Sequence, residues 1–227
     1  MNTLDLFSLK GKTVVVFGGE GLLGRCVCET VRDLGGDALS VDNHRPANYV
    51  RDATNVHACI EIADYLEKVD AVVNCIVGHQ GPVTYPSSYW DTDLAAGLGV
   101  ACNIMVAFRD KLMASKGIAL HIGSDLSLKA PDPHRYAPLY KPLSYSVVKH
   151  GIIGLVRYYA AHWGPSGVRV NCLCPGGIDQ GQDAPRAPLG RLAGIEEMKG
   201  PIAFMLSRAS SYMTGAVVSV DGGSTCW

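Results

Sequence analysis

The stretch Thr13-Val14-Val15-Val16-Phe17-Gly18-Gly19-Glu20-Gly21-Leu22-Leu23-Gly24 decides the fold. Its first five residues form a continuous apolar, largely β-branched run, the pattern of a strand covered on both faces, which implies a parallel sheet. The residues at 25–32 that follow read as a helix ending near Gly35-Gly36. Gly18, Gly21 and Gly24 stand between strand and helix, where the turn must be tight, the backbone must approach a pyrophosphate and the helix must press on the strand. Leu22, Leu23 and Gly24 lead into that helix, whose N-terminal N–H groups and positive dipole end face the phosphates of a dinucleotide.

Downstream, a second strand at 38–41 ends at Asp42, about 20 residues beyond the glycines, where a carboxylate accepts both ribose hydroxyls and repels a 2′-phosphate. NAD(H) is therefore favoured over NADP(H), and Glu20 adds to the repulsion. His44 and Arg45 stand close enough to cradle a phosphate and are the counter-argument. Asp52, with Ala53 after it, fits the turn under the adenine. Helices are expected at 55–68, 93–111, 144–163 and 196–206, and strands at 71–77, 118–122, 168–173 and 216–220. Loops are expected at 79–90 and 130–142. Strand and helix alternate without a linker or repeat, so the expected architecture is one doubly wound α/β domain over residues 1–227.

The run Ser144-Tyr145-Ser146-Val147-Val148-Lys149 carries the chemistry. On a helix its phenol and ammonium share one face about one turn apart, so both act on the same atom. A fixed ammonium favours the phenolate, which makes Tyr145 a candidate acid and base. Pro142 stops any upstream helix and Ser144 is placed to cap. Ser124 ends the 118–122 strand at the same edge of the sheet, where its hydroxyl is placed to bond a carbonyl or the alkoxide it becomes.

With 227 residues, 48% hydrophobic and 18% charged, the chain is long enough for one large core. A net charge of −1 without basic clusters points away from nucleic acid and membrane surfaces, toward a small-molecule partner. The start lacks a signal-peptide pattern and no apolar run reaches about 18 residues. A cytoplasmic protein is expected. None of the eight cysteines forms a CxxC pair, so they read as reduced core residues, and no metal site is expected.

Together these features resemble the short-chain dehydrogenase/reductase family over nearly the whole chain. The resemblance rests on Leu9-Lys10-Gly11-Lys12, the glycine turn, Asp42, Asp52, Asn74, Ser124 and Tyr145-x-x-x-Lys149. It continues through Arg169-Val170-Asn171, Pro175-Gly176, Pro188-Leu189-Gly190-Arg191, Tyr212-x-Thr214-Gly215 and Val220-Asp221-Gly222-Gly223. It implies a Rossmann fold and hydride transfer between a nicotinamide and a carbonyl or alcohol. Tyr145 would move the hydroxyl proton, Ser124 would orient the carbonyl, and Lys149 would lower the tyrosine pKa and bond the nicotinamide ribose. Ile178, after Pro175 and Gly176, would offer its backbone to the carboxamide, and Asn74 would lie near the cofactor ribose. The family commonly pairs through its two long central helices, which implies a homodimer or homotetramer.

The chain departs from that pattern in several places. Leu22 stands where the commonest version has a glycine, and Asn74-Cys75-Ile76-Val77 replaces Asn-Asn-Ala-Gly. The asparagine that completes many family sites falls on Gly97, and Asn103 is too far along the helix to replace it. The segment between Ser124 and Tyr145 is long and that between Gly177 and Arg191 short, so the former is expected to cover the substrate. Its residues Lys129, Arg135 and Lys141 fit an anionic substrate, and a solvated loop as well. A non-catalytic dinucleotide-binding protein and a nucleotide-sugar-modifying enzyme are the alternatives to the oxidoreductase.

Overall fold

The computed structural model describes residues 2–44, 46–78, 81–181 and 187–226. Arg45 and part of the segment between Gly177 and Arg191 lie outside the described residues. Seven parallel strands form one sheet: β1 (Thr13–Phe17), β2 (Asp37–Asp42), β3 (Tyr49–Val50), β4 (Ala71–Asn74), β5 (Ile118–Ile122), β6 (Arg169–Pro175) and β7 (Val217–Val220), in the order β3-β2-β1-β4-β5-β6-β7. The order reverses between β1 and β4, whose following connections lead to opposite edges of the sheet, which opens a crevice at the carboxyl ends of the strands.

Both faces are covered, as the unbroken apolar strands require. Val15, Phe17, Val72, Ala119 and Cys172 pack on α4 (Val100–Ser115) and α6 (Leu143–Trp163), and α2 (Val56–Tyr65) shares that layer. Val14, Val16, Val73, Leu120 and Leu173 point the other way, onto α1 (Leu22–Asp33) and α7 (Lys199–Leu206). Five of the cysteines are buried in these layers, Cys75 is half-buried, and Cys102 and Cys226 are exposed.

Several elements differ from the sequence expectation. The 93–111 helix begins earlier, as α3 (Trp90–Leu94), and reaches α4 through a π-helical segment, Ala95–Gly99. This run, Trp90–Ser115, is 26 residues long with a mean hydropathy of 1.3 in its most apolar window, long and apolar enough to cross a membrane. Its residues Ile104, Met105, Phe108 and Leu112 are wholly buried against the sheet, the packing of a core helix. Ser144 does not cap α6. The cap position is Pro142, and the buried Ser144 hydroxyl donates to Asp93 Oδ2 at 2.5 Å, tying α6 to α3. Residues 130–142 contain a helical turn, α5 (Pro133–Tyr136), and the two-residue β3 extends the sheet beyond β2.

Candidate active site

The crevice is a cavity of about 900 Å³ along the carboxyl ends of the strands. At one end the glycine turn is built from backbone contacts too close for side chains. Gly18 takes φ +71°, and a Cβ on Gly24 would stand 2.0 Å from the Gly18 carbonyl oxygen. Gly18, Gly21, Leu22, Leu23 and Gly24 all line the cavity, with α1 starting at Leu22. Asp42 is buried at the end of β2: its Oδ2 accepts from the Glu20 N–H at 3.1 Å, and its Oδ1 accepts from the Asn43 N–H at 2.9 Å. His44 Nδ1 lies 2.9 Å from Asp42 Oδ1, which holds the imidazole on the carboxylate. Asp52 and Ala53 line the same end, and the Asn103 side chain donates to the Ala53 and Thr54 carbonyls at 3.0 Å each. Asn103 thus fastens the turn beside this end of the cavity and plays no part at the other.

Asn74 stands one residue short of the cavity wall. It is buried behind the β4 end, where Oδ1 accepts from the Ile76 N–H at 3.1 Å, and Cys75, Ile76 and Val77 line the cavity instead. On the far strand, Pro175, Gly176 and Ile178 face the cavity. Ile178 is pinned by a bridge to Ala193, and the Gly176 N–H donates to the Val220 carbonyl at 3.0 Å.

At the other end, Ser124, Tyr145 and Lys149 converge on the cavity. Lys149 is buried and its Nζ donates to the Ile122 carbonyl at 2.8 Å, so the ammonium is fixed to the end of β5. Burial holds its pKa down to about 8. Tyr145 is pushed up to about 12, chiefly by burial, against a downward pull from the Ser124 hydroxyl. Burial dominates the phenol in this arrangement. The ammonium sits 5.7 Å from the ring centroid and is engaged on a carbonyl, while desolvation acts on the phenol directly. A phenol so held keeps its proton at neutral pH and is suited to giving it to an alkoxide.

Ser124 caps the turn Asp125–Ser127. It accepts from the Leu126 N–H at 3.1 Å, and its own N–H donates to Ser127 Oγ at 3.0 Å. Its hydroxyl donates to Asp125 Oδ1 at 3.0 Å, and Asp125 Oδ2 in turn accepts from Ser224 Oγ at 2.9 Å. Lys129 donates to the carbonyl and hydroxyl oxygens of Ser224 and stands 3.6 Å from Asp125. Asp125 and Ser224 carry no local signature, because their partnership spans 99 residues.

Gly97 has a packing reason. A Cβ there would stand 2.2 Å from Val148 Cγ1, where the π-helical segment presses on α6 one residue before Lys149. Gly97→Asn is accordingly expected to destabilise the fold by about 1–3 kcal/mol and not to restore a missing side-chain relay. A melting curve checks this, and an unchanged or raised midpoint would contradict it.

A family model described as Enoyl-(Acyl carrier protein) reductase matches residues 6–225. The 2-dehydro-3-deoxy-D-gluconate 5-dehydrogenase of Bacillus subtilis is 26% identical over 253 residues, covering 96% of both chains. The NADP-dependent mannitol dehydrogenase of Hypocrea jecorina is 30% identical over 256 residues, covering 98% of this chain and 95% of the relative. A short chain dehydrogenase from Leptospira borgpetersenii, solved with bound NAD+, superposes with a TM-score of 0.88 at 27% identity over 99% of this chain and 96% of that one. With the sheet order, the glycine turn and relatives named as dehydrogenases all in agreement, the chain belongs to the short-chain dehydrogenase/reductase family, oxidoreductases that act on CH–OH or C=O groups.

Proposed function

We propose that the protein transfers a hydride between a nicotinamide cofactor, NAD(H) in preference to NADP(H), and a carbonyl or alcohol carbon of a small molecule. The observation that carries this reading is the single cavity, which runs from Asp42 past the glycine turn to Tyr145 and Lys149. The fit to a dinucleotide rests on the turn itself: at Gly24 and Gly18 the backbone leaves no room for side chains and lies open to a pyrophosphate at the start of α1. Bound there, the nicotinamide supplies or accepts the hydride.

In this reading the chain's own residues handle the proton. Tyr145 donates it to the oxygen of a reduced carbonyl, or takes it from an alcohol. Ser124 orients that oxygen by turning its hydroxyl proton from Asp125 toward it, while the Leu126 N–H keeps the side chain in place. The fixed ammonium of Lys149 bonds the ribose hydroxyls and offsets negative charge developing beside the phenol. Pro175, Gly176 and Ile178 wall the carboxamide side. Exposed Val106 on α4 and Tyr158 on α6 support pairing of two copies through those helices.

The cofactor preference rests on Asp42. Its carboxylate faces the cavity, and His44 is engaged on it. Titration of the protein with NADH and NADPH side by side, followed by nicotinamide fluorescence, should show NADH binding about tenfold or more tightly, the scale of a charge-assisted bond lost and a like charge met. Tighter NADPH binding would overturn the assignment of Asp42.

A further inference from the structure

Beyond the triad, two cations reach the catalytic end of the cavity. Lys141 stands just before α6 and places Nζ 4.0 Å from the centroid of the Tyr145 ring. Arg135, on α5, lines the same cavity, and its guanidinium lies 5.7 Å from the Tyr136 ring, against which Lys141 Nζ also sits at 5.9 Å. The Tyr136 ring thus holds both cations near the phenol. Their segment is fastened down: Tyr140 exchanges backbone hydrogen bonds with Val83 at 2.7 and 2.8 Å, and the Leu143 N–H donates to the Pro86 carbonyl at 2.7 Å. Arg135 is exposed and Lys141 half-buried, so the segment is held at the mouth of the cavity while open to solvent.

Asp125 accepts from Ser124, Leu126 and Ser224 and pairs with Lys129, and Asp93 accepts from Ser144. Lys141 is held down to about 8, by burial first and then by the Arg135 charge, while the Asp125 and Asp93 carboxylates pull it up. An anion bound between the two cations relieves that repulsion, and it lies within reach of a carbon whose oxygen rests on Tyr145. The Asp125 carboxylate in the same cavity favours a monoanion over a phosphate dianion.

We propose that Lys141 and Arg135 form a carboxylate-binding subsite, and that the substrate is a short hydroxy or oxo acid that reacts at a carbon near its carboxylate. The inference rests on the oxidoreductase reading of the same cavity. A planar guanidinium takes a carboxylate through two parallel N–H donors, and an ammonium adds a point charge, so substrate orientation follows from charge as well as shape.

The test uses the complex of the protein with NADH, whose formation is measured first. Probes share one carbon chain: D-gluconate, neutral D-glucitol and D-glucitol 6-phosphate, with 2-oxobutanoate against butan-2-one as a second pair. Each acid should bind the NADH complex about tenfold or more tightly than its neutral partner. Lys141→Met and Arg135→Met should each remove about tenfold of that advantage, leaving NADH binding and neutral probes unchanged, and Lys141→Arg should retain most of it. Equal binding of acids and neutral partners, variants that bind acids as the native protein does, or tighter binding of the phosphate ester than of either acid would each overturn the proposal. Failure to bind NADH at all would overturn the underlying reading, and the subsite with it.

Discussion

Tyr145→Phe should lower turnover by about 10³-fold and leave NADH affinity within about twofold of the native value. The size follows from the loss of the proton donor in the transition state, where general acid and base groups contribute about 10²–10⁴-fold. The selectivity follows from the position of the side chain. Lys149 stays fixed to the Ile122 carbonyl and the glycine turn lies at the far end of the cavity, so removing one oxygen disturbs neither. Steady-state rates alongside NADH fluorescence titration separate the two effects. Native turnover in the variant would dismiss Tyr145 as the acid. Equal loss of rate and of NADH binding would make it a structural residue.

Gly24→Ala should destabilise the fold by about 3 kcal/mol and abolish measurable nucleotide binding. The added Cβ meets the Gly18 oxygen at 2.0 Å and the Gly19 Cα at 2.7 Å, both backbone atoms, so no side-chain rotation relieves the contact. Either α1 moves off β1 or the turn opens, and both displace the N–H groups at the start of α1. Chemical denaturation and NADH titration measure the two consequences. A variant that folds and binds as the native chain does would show that the close approach of turn and helix is dispensable.

The architecture was legible where one short stretch combined two periodicities. Residues 13–17 read as a doubly covered strand and residues 18–24 as a phosphate turn, and β1, the turn and α1 stand there. The Tyr145-x-x-x-Lys149 spacing likewise put both groups on one face of α6, and Ser124 joined them because its strand ends at the same edge. What spacing does not contain is burial. The same helix that aligns the phenol with the ammonium buries Lys149 and half-buries Tyr145, which lowers the one and raises the other. Nor does a local pattern reveal partners far along the chain. Ser144 looked like a cap and is bonded to Asp93 across 51 residues. Asn103 had no evident use and holds the 53–54 turn. Gly97 read as a missing asparagine, whereas Val148 fills the space such a side chain would need. Asn74 is tied to the Ile76 N–H just beyond it, a local bond that the motif does not announce.

The most direct test of hydride transfer follows the isotope itself. The protein is incubated with NADH carrying deuterium at the transferable position of the nicotinamide and a panel of ketoses, oxo acids and simple ketones, and the products are read by mass spectrometry. Deuterium is expected on the carbinol carbon of at least one product, with transfer strongly slowed by Tyr145→Phe. Deuterium retained on the nucleotide against every carbonyl, while NADH is demonstrably bound, would contradict it.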